Sequence, residues 1–247
     1  MTRQPGARAA LLRLFAVQGV WTNERMHGVG MAWAAAPMLD ELSGVDPQRL
    51  VEARVRAAEP FNCHPHLAGL ALGAEVRAEF DGVPGAQIAR LRLALGGPLG
   101  ALGDQFFWAG LVPLLAGMTL ALAAIGAGPW AVLLLLIGYN AVRVRVAAWS
   151  LRTGLEHGTA VGAALQRSWL PRGATAIGPW AGLAVGVALP LMLRWLLVER
   201  QPLEIGATAG IAMMTALCAW RLRGMLSPVR VALGLVAVVL LVRLGAG

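Results

Sequence analysis

Long apolar stretches fill the second half of the chain, and they limit what it can fold into more than any other feature. A helix needs about 20 mostly apolar residues to cross the hydrocarbon core of a membrane. From Phe106 onward, such stretches alternate with short breaks that carry arginine, glycine or proline. The sequence therefore predicts an all-α membrane protein with about five membrane-spanning helices, at residues 106–125, 129–148, 176–198, 205–220 and 229–246.

The overall composition agrees with a membrane protein. Hydrophobic residues make up 57% of the chain and charged residues only 14%, whereas a soluble domain carries about 25% charged residues. The net charge is +8, but the arginines lie between apolar runs rather than on a polar face, so nucleic acid is not an expected partner. Cys63 and Cys218 lie far apart and predict neither a disulfide framework nor a metal pattern. Arg3, Arg8 and Arg13 interrupt any signal-peptide core at the N-terminus.

The arginines also predict an orientation for the spans. They cluster around residues 152–172 and again around residues 221–228, and two predicted spans separate these breaks. Both breaks then lie on the same side, which the positive-inside rule assigns to the cytoplasm. Five spans place the N-terminal half inside the cell and the C-terminus outside.

The part of the chain before the spans is predicted to be helical, but its apolar pieces are too short to cross a membrane. Residues 7–22 have the spacing of an amphipathic helix at a membrane surface or in a groove between membrane segments. Residues 28–39 are apolar, end near Pro37 and are expected to be re-entrant or interfacial. Residues 40–59 predict a charged helix, and residues 86–95 predict a small one.

A polar break lies between the charged segment and the next apolar piece. Pro60 and Pro65 each remove a backbone donor, so the chain should break here and a short helix should restart near Pro65. Asn62 and a neutral His64 can both donate and accept hydrogen bonds, as binding a sugar hydroxyl requires. Two interpretations remain open: these side chains project into a transport cavity, or they satisfy backbone groups that the break leaves free.

A glycine-rich stretch at residues 96–104 follows. It lacks the GxxxxGK[ST] phosphate loop and no strand precedes it, so a nucleotide site is not predicted. The glycines and Pro98 indicate close backbone packing at the start of a helix. Asp104 is interpreted either as the cap of that helix or as a functional acid within the membrane.

The polar break and its surroundings carry several residue types that can bind a metal ion. Glu59, Cys63, His64, His66 and His27 are residue types that suit zinc. The spacing argues against it, because there is no HExxH and a proline separates His64 from His66. The sequence predicts no metal, no cofactor and no catalytic residue.

Four motifs, in their order along the chain, resemble the enzyme IID membrane component of the mannose/fructose/sorbose-type sugar phosphotransferase system. The first motif, Q-x-S-W-N-x-E-R-M, is matched by Gln18, Trp21, Glu24, Arg25 and Met26, and the second, F-F-N-T-H-P, is matched by Phe61, Asn62, His64 and Pro65. The third, G-P-L-A-G-I-G-D, is matched by Gly97, Pro98, Leu99, Gly103 and Asp104. The fourth, N-x-x-R with a later glycine pair, is matched by Asn140, Arg143, Gly154 and Gly158. The chain departs from the pattern at Thr22, Asn23 and Cys63 and in the short break at residues 199–204. These departures bear on sugar preference and on outer-face partners.

The resemblance implies a multi-pass protein of the bacterial inner membrane. Such a subunit forms the sugar path with a IIC-type partner in a larger hetero-oligomer, surrounded by lipid, while IIA and IIB proteins carry the phosphate. Asn62, His64 and Asp104 are then expected at the substrate. The other motif residues are expected to be structural: Trp21, Glu24, Arg25, Pro65, Gly97, Pro98, Gly103, Asn140 and Arg143.

The expected organisation is an N-terminal helical region at 1–60, the break and glycine-rich stretch at 61–104 and the membrane region at 105–247. The alternative is a regulatory, receptor or scaffold homologue that does not transport.

Overall fold

The computed structural model describes residues 5–197, and these residues are helical with no strand. The structure divides after Leu191, and the packing described below lies in the unit that ends there. The α-helices are α1 Ala7–Leu14, α2 Gly28–Leu39, α3 Pro47–Ala57, α4 Ala68–Phe80, α5 Gly85–Gly103, α6 Val112–Ala124, α7 Pro129–His157, α8 Val161–Arg167 and α9 Trp169–Leu197. Shorter 3-10 turns lie at Asp40–Gly44, Pro65–Leu67 and Gly158–Ala160, and a π-helical segment lies at Asp104–Leu111.

The first helix is shorter than its amphipathic pattern predicts. α1 ends at Leu14 rather than near residue 22, and the chain continues as tight turns. The amides of Phe15, Ala16 and Val17 bond to carbonyls three residues back, so the α-helical hydrogen-bond ladder is lost there. Val17 is buried and its backbone lies close against α2, so tertiary packing ends the helix.

α2 continues through the proline that was expected to end it. Pro37 lies inside the helix and has no N–H to offer the carbonyl of Trp33, one turn earlier. The guanidinium of Arg13 donates to that carbonyl at 2.8 Å and lies over the Trp33 ring, 5.1 Å from its centroid. A residue from α1 therefore replaces the hydrogen bond that Pro37 removes.

The charged segment forms α3 for local reasons. Asp46 caps the helix, since its Oδ1 accepts from the amide of Arg49 at 2.9 Å, and Pro47 occupies the first turn. Arg56 binds Glu79 of α4 through two hydrogen bonds, at 2.8 and 3.0 Å. The charged helix predicted over residues 40–59 is confirmed only for Pro47–Ala57, because Asp40–Gly44 form a separate 3-10 turn. Glu79, the partner of Arg56, is buried.

The predicted small helix at residues 86–95 is wrong in its extent. α5 runs from Gly85 through the glycines and Pro98 to Gly103 and continues without interruption through the π segment into α6. Asp104 therefore begins the π segment in the middle of a continuous helix, and its interpretation as a helix cap is wrong. The close packing predicted for the glycines is confirmed at Gly96 and Gly103, where a side chain would press on the polar break.

α4 and α7 form the most extensive helix pair in the described part of the chain. Gly69 and Gly73 on α4 face Ser150 and Gly154 on α7, and a Cβ on any of these three glycines would overlap the backbone or side chain of the other helix. Small residues spaced four apart let helix backbones approach closely, as is common in membranes. The hydroxyl of Ser150 donates within α7 to the carbonyl of Ala147 at 2.9 Å.

Two helical stretches within residues 5–197, Gly85–Ala124 and Pro129–Met192, are long and apolar enough to cross a membrane. The predicted span at 106–125 corresponds to the π segment and α6, and the span at 129–148 lies inside the longer α7. The span at 176–198 falls on α9, which already begins at Trp169, so the break at 152–172 is largely helical. The predicted spans at 205–220 and 229–246 lie outside the described residues, and the number of spans remains a prediction.

Candidate functional site

The polar break is held against the turn that follows α1. The amide of Phe61 donates to the carbonyl of Arg25 at 3.3 Å, and the amide of His27 donates to the carbonyl of Phe61 at 2.9 Å. The Arg25 guanidinium donates to the carbonyl of Ala58 at 3.0 Å. Met26, between these contacts, has a φ of 51°, which is rare for a residue other than glycine. Two motifs distant in sequence are thus joined through their backbones.

His64 has a defined orientation within the break. The residue is extended, with φ −65° and ψ 126°, as expected before a proline, and Pro65 begins a 3-10 turn that leads into α4. Nδ1 of His64 accepts from the amide of His66 at 3.3 Å, so in the neutral ring the proton lies on Nε2. The ring stacks on Phe107 of the π segment, with the centroids 4.8 Å apart and the planes 10° apart.

The predicted restart of the helix at Pro65 is therefore confirmed. The next residue, His66, faces α7 rather than the break. Its Nε2 lies 3.0 Å from the hydroxyl oxygen of Tyr139, and this contact joins the start of α4 to α7.

The glycine-rich face of α5 allows the break to lie directly against the helix. A Cβ at Gly96 would approach the carbonyl oxygen of Asn62 to 3.0 Å, and a Cβ at Gly103 would overlap the side chain of His64. The break therefore packs directly on this face of α5, and this packing requires glycine-sized residues at positions 96 and 103.

An open cavity of about 510 Å³ lies where these elements meet. All three residues expected at the substrate line it: Asn62 and His64 from the break, and Asp104 from the start of the π segment. Trp21, Gly97 and Pro65 of the motifs also line it. The further lining residues are Gln18, His27, Cys63, Gly96, Gly100, Ala101 and Trp108.

Two buried imidazoles in this cavity have unused hydrogen-bonding capacity. His27 is 3% exposed and His64 is 2% exposed. Neither ring nitrogen of His27, nor Nε2 of His64, has a partner within the described residues. Burial lowers the pKa of His27, and burial also lowers the pKa of His64 to about 4, although nearby Asp104 opposes that shift. Both rings are neutral near pH 7 and can exchange hydrogen bonds with hydroxyl groups.

Cys63 supplies no reactive group to the cavity. The residue is buried, and burial raises the pKa of its thiol well above the ordinary value, so the thiol stays protonated. Its Sγ contacts the carbonyl oxygen of His64 at 3.4 Å. Within residues 5–197, no three His, Cys, Asp or Glu side chains are grouped so that they could hold a metal ion.

The remaining motif residues lie outside the cavity. Arg143 of α7 donates to the carbonyl of Phe15 at 3.1 Å and lies over the Phe15 ring, so it ties α7 to the end of α1. The side-chain amide of Asn140 donates to the carbonyl of Leu136 at 2.8 Å within α7. Glu24 and Pro98 are exposed and do not line the cavity.

Sequence reasoning did not place His27 or Trp108 at this site, although both line the cavity. From the sequence His27 is interpreted only as a possible metal ligand, yet it lines the cavity, and neither of its ring nitrogens has a partner within residues 5–197. The signal available in the sequence was its position directly after the Glu24-Arg25-Met26 motif, a polar residue at the edge of an apolar helix.

Comparison with known proteins assigns the chain to a family. Residues 3–193 match the model of the PTS system mannose/fructose/sorbose family IID component. The chain is 33% identical over 147 residues to the fructose permease IID component of Bacillus subtilis, covering 57% of this chain and 52% of that one. It is 30% identical over 162 residues to the PTS system mannose-specific EIID component of Escherichia coli K12, covering 63% of this chain and 56% of that one. The matched part of the chain thus spans only about half the length of these relatives.

Solved structures share the fold. A structure titled "Structure of membrane protein" superposes with a TM-score of 0.71 at 20% identity and covers 95% of this chain and 94% of its own. A structure of the mannose transporter ManYZ in complex with microcin E492 superposes with a TM-score of 0.59 at 22% identity and covers 97% of this chain and 96% of its own.

The two long apolar helical stretches and the family match together define a helical membrane protein. The chain belongs to the IID component family of the mannose/fructose/sorbose group of sugar phosphotransferase systems.

Proposed function

We propose that the chain is a membrane subunit of a phosphotransferase-type sugar permease, and that it forms the translocation path for a hexose with a IIC-type partner. The observation that carries the proposal is the cavity at the polar break. Asn62, His64 and Asp104 bring an amide, a neutral imidazole and a carboxylate together there, and Trp21 and Trp108 line the same space. Polar groups for hydroxyls beside aromatic faces suit a sugar ring.

In this proposal the chain is not itself catalytic and needs no cofactor. The cavity holds no reactive thiol, because the Cys63 thiol stays protonated. IIA- and IIB-type proteins would carry the phosphate and transfer it to the sugar as it enters. The cavity is open, and a IIC-type subunit would complete the sugar path there. Membership of the IID component family supports such a hetero-oligomer.

The proposed placement is multi-pass in the bacterial inner membrane with about five spans. The breaks at residues 152–172 and 221–228 would face the cytoplasm, and the C-terminus would face outward. In this arrangement residues 1–60 form an N-terminal helical region, residues 61–104 carry the substrate groups, and residues 105–247 anchor the subunit in lipid. An impermeant thiol reagent should not label an Arg223→Cys variant in intact cells, and labelling would contradict this orientation.

The substitution Asn62→Ala tests the transport role. Assembled complex should be recovered in normal amount, but the apparent Km for sugar uptake should rise, because one lost buried hydrogen bond costs about 1–3 kcal/mol. Gln87→Ala serves as the control, since it removes an exposed amide that does not line the cavity.

Loss of assembled complex with an unchanged Km would mean that Asn62 only satisfies the backbone at the break. A wild-type complex that assembles but takes up no sugar would favour the regulatory or scaffold alternative.

A further inference from the structure

The cavity is lined by one negatively charged side chain and by no arginine. Asp104 is the only charged residue among those that line it. Within residues 5–197, the Asp104 carboxylate forms no salt bridge or hydrogen bond to a side chain. The described part of the site therefore presents a single unneutralised negative charge to a ligand.

The arginines nearest the break are directed elsewhere. Arg92 donates to Glu75 at 2.6 Å and to the carbonyls of Ala57 and Glu59 at 3.1 and 2.9 Å. Arg25 donates to the carbonyl of Ala58, and Arg143 donates to the carbonyl of Phe15. Their guanidinium groups satisfy backbone and carboxylate acceptors, so none of them lines the cavity or offsets Asp104 there.

The remaining polar groups suit an uncharged ligand. His27 and His64 are more than nine-tenths buried and keep ring nitrogens that have no partner in the described part of the chain, while Asn62 and Gln18 contribute amides. These groups can exchange hydrogen bonds with hydroxyls without any charge on the ligand. A phosphate monoester carries about −1.5 to −2 charges at pH 7, and here it would meet a carboxylate with no cation to balance it.

We infer that this cavity binds an uncharged polyhydroxyl ligand, with the imidazoles of His27 and His64 as hydroxyl partners, and that Asp104 makes it reject the phosphate ester of the same ligand. This inference rests on the proposed function, because it takes the cavity to be the sugar site. It adds a direction to the process: a sugar that gains a phosphate loses its affinity for the site and leaves it. Like charges placed together are a recognised means of excluding a wrong ligand.

The test is calorimetric titration of the purified complex between this chain and its IIC-type subunit. The probes are mannose, mannose 6-phosphate and 6-O-acetylmannose, the last being a neutral ester that separates charge from size. Mannose 6-phosphate should bind at least tenfold more weakly than both neutral probes. In Asp104→Asn the ratio between mannose and mannose 6-phosphate should fall below threefold, because the repelling charge is gone.

Asp81→Asn is the matched control for Asp104→Asn. It removes the same charge from an exposed carboxylate that pairs with Arg77 at the end of α4 and does not line the cavity. This variant should keep the wild-type ratio.

The role of His27 is tested in the same complex. His27→Leu should weaken mannose binding about tenfold, which corresponds to about 1.4 kcal/mol. His27→Gln should recover part of that loss, because an amide can both donate and accept. A merely structural role would give equal losses in the two variants.

The outcomes separate this inference from the function on which it rests. Equal affinity of the wild-type complex for mannose and mannose 6-phosphate, or an unchanged ratio in Asp104→Asn, overturns the inference and leaves the transport role intact. Equally weak binding of both mannose esters assigns the exclusion to size and also overturns it. If mannose does not bind the wild-type complex, fructose and sorbose are titrated in its place, and failure of all three sugars to bind overturns both proposals together.

Discussion

The side chain of His64 occupies the space that a side chain at Gly103 would need. A Cβ at residue 103 would overlap the Cβ and ring of His64, although the two residues lie on different elements. The glycine of the third motif and the histidine of the second are thus spatial partners. Their contact fixes the imidazole against α5, at the wall of the cavity.

We predict that Gly103→Ala destabilises the protein even though alanine favours helices. The added methyl group must displace His64, and overpacking of this kind typically costs about 1–3 kcal/mol. A Gly→Ala change in an open helical position would instead gain up to about 1 kcal/mol. The measurement is the thermal midpoint of the purified complex, which is the temperature at which half of its monodisperse elution peak is lost.

Gly178→Ala is the control for Gly103→Ala. Gly178 lies inside α9, where an added Cβ meets no atom within 4 Å. A lower midpoint for Gly103→Ala together with a midpoint for Gly178→Ala at or above wild type supports the prediction. Equal midpoints for the two variants would contradict it.

We predict that Gly154→Leu separates α4 from α7. A Cβ at Gly154 already overlaps the carbonyl of Leu70 and lies 2.9 Å from the amide nitrogen of Ala74, so a larger side chain cannot be accommodated without moving a helix. The expected result is a loss of folded complex, because this is the most extensive helix pair described. Gly182→Leu, at a position with open space around it, should be tolerated. Similar recovery of both variants in size-exclusion chromatography would count against the prediction.

We predict that ionisation of Glu75 makes stability fall as pH rises. Burial raises the pKa of Glu75 to about 7 from its ordinary value of 4.5, although the neighbouring Arg92 opposes that shift. The folded protein therefore keeps this proton to a higher pH than the unfolded chain does. The stabilising effect is complete below pH 4.5 and is lost as pH rises through about 7.

The measurement is the thermal midpoint at several pH values between 5 and 8, compared between wild type and Glu75→Gln. The midpoint of wild type should fall more steeply over this range than that of the variant. The comparison isolates Glu75, because all other titrating groups are shared. Parallel curves would contradict the prediction.

We predict that the chain needs the proposed IIC-type partner to be recovered in folded form. The apolar helices α2 and α4 have 12 and 13 residues, fewer than the about 20 needed to span a membrane. They require protein around them to bury their ends. Expression alone should give aggregated or low-yield material, and co-expression should give a monodisperse extract. Equal yield and dispersity in the two cases would argue against this dependence.

The local chemistry of the sequence determined the class of the protein and the position of its break. Apolar length predicted membrane helices, and the described part of the chain contains two stretches of sufficient length. Pro60 and Pro65 predicted the interruption and the restart of the helix, because proline restricts its own backbone and that of its neighbour. Asn62, His64 and Asp104 were selected as polar groups beside apolar segments, and all three line one cavity.

Contacts distant in sequence decided what local rules could not. Pro37 signals a helix end, yet α2 continues through it, because the guanidinium of Arg13 satisfies the carbonyl left free. His27 acquired its place through the pairing of its amide with the carbonyl of Phe61, which brings a residue of one motif to the break of another. A local pattern states which groups a backbone leaves unsatisfied, but only the tertiary structure supplies the distant partner that satisfies them.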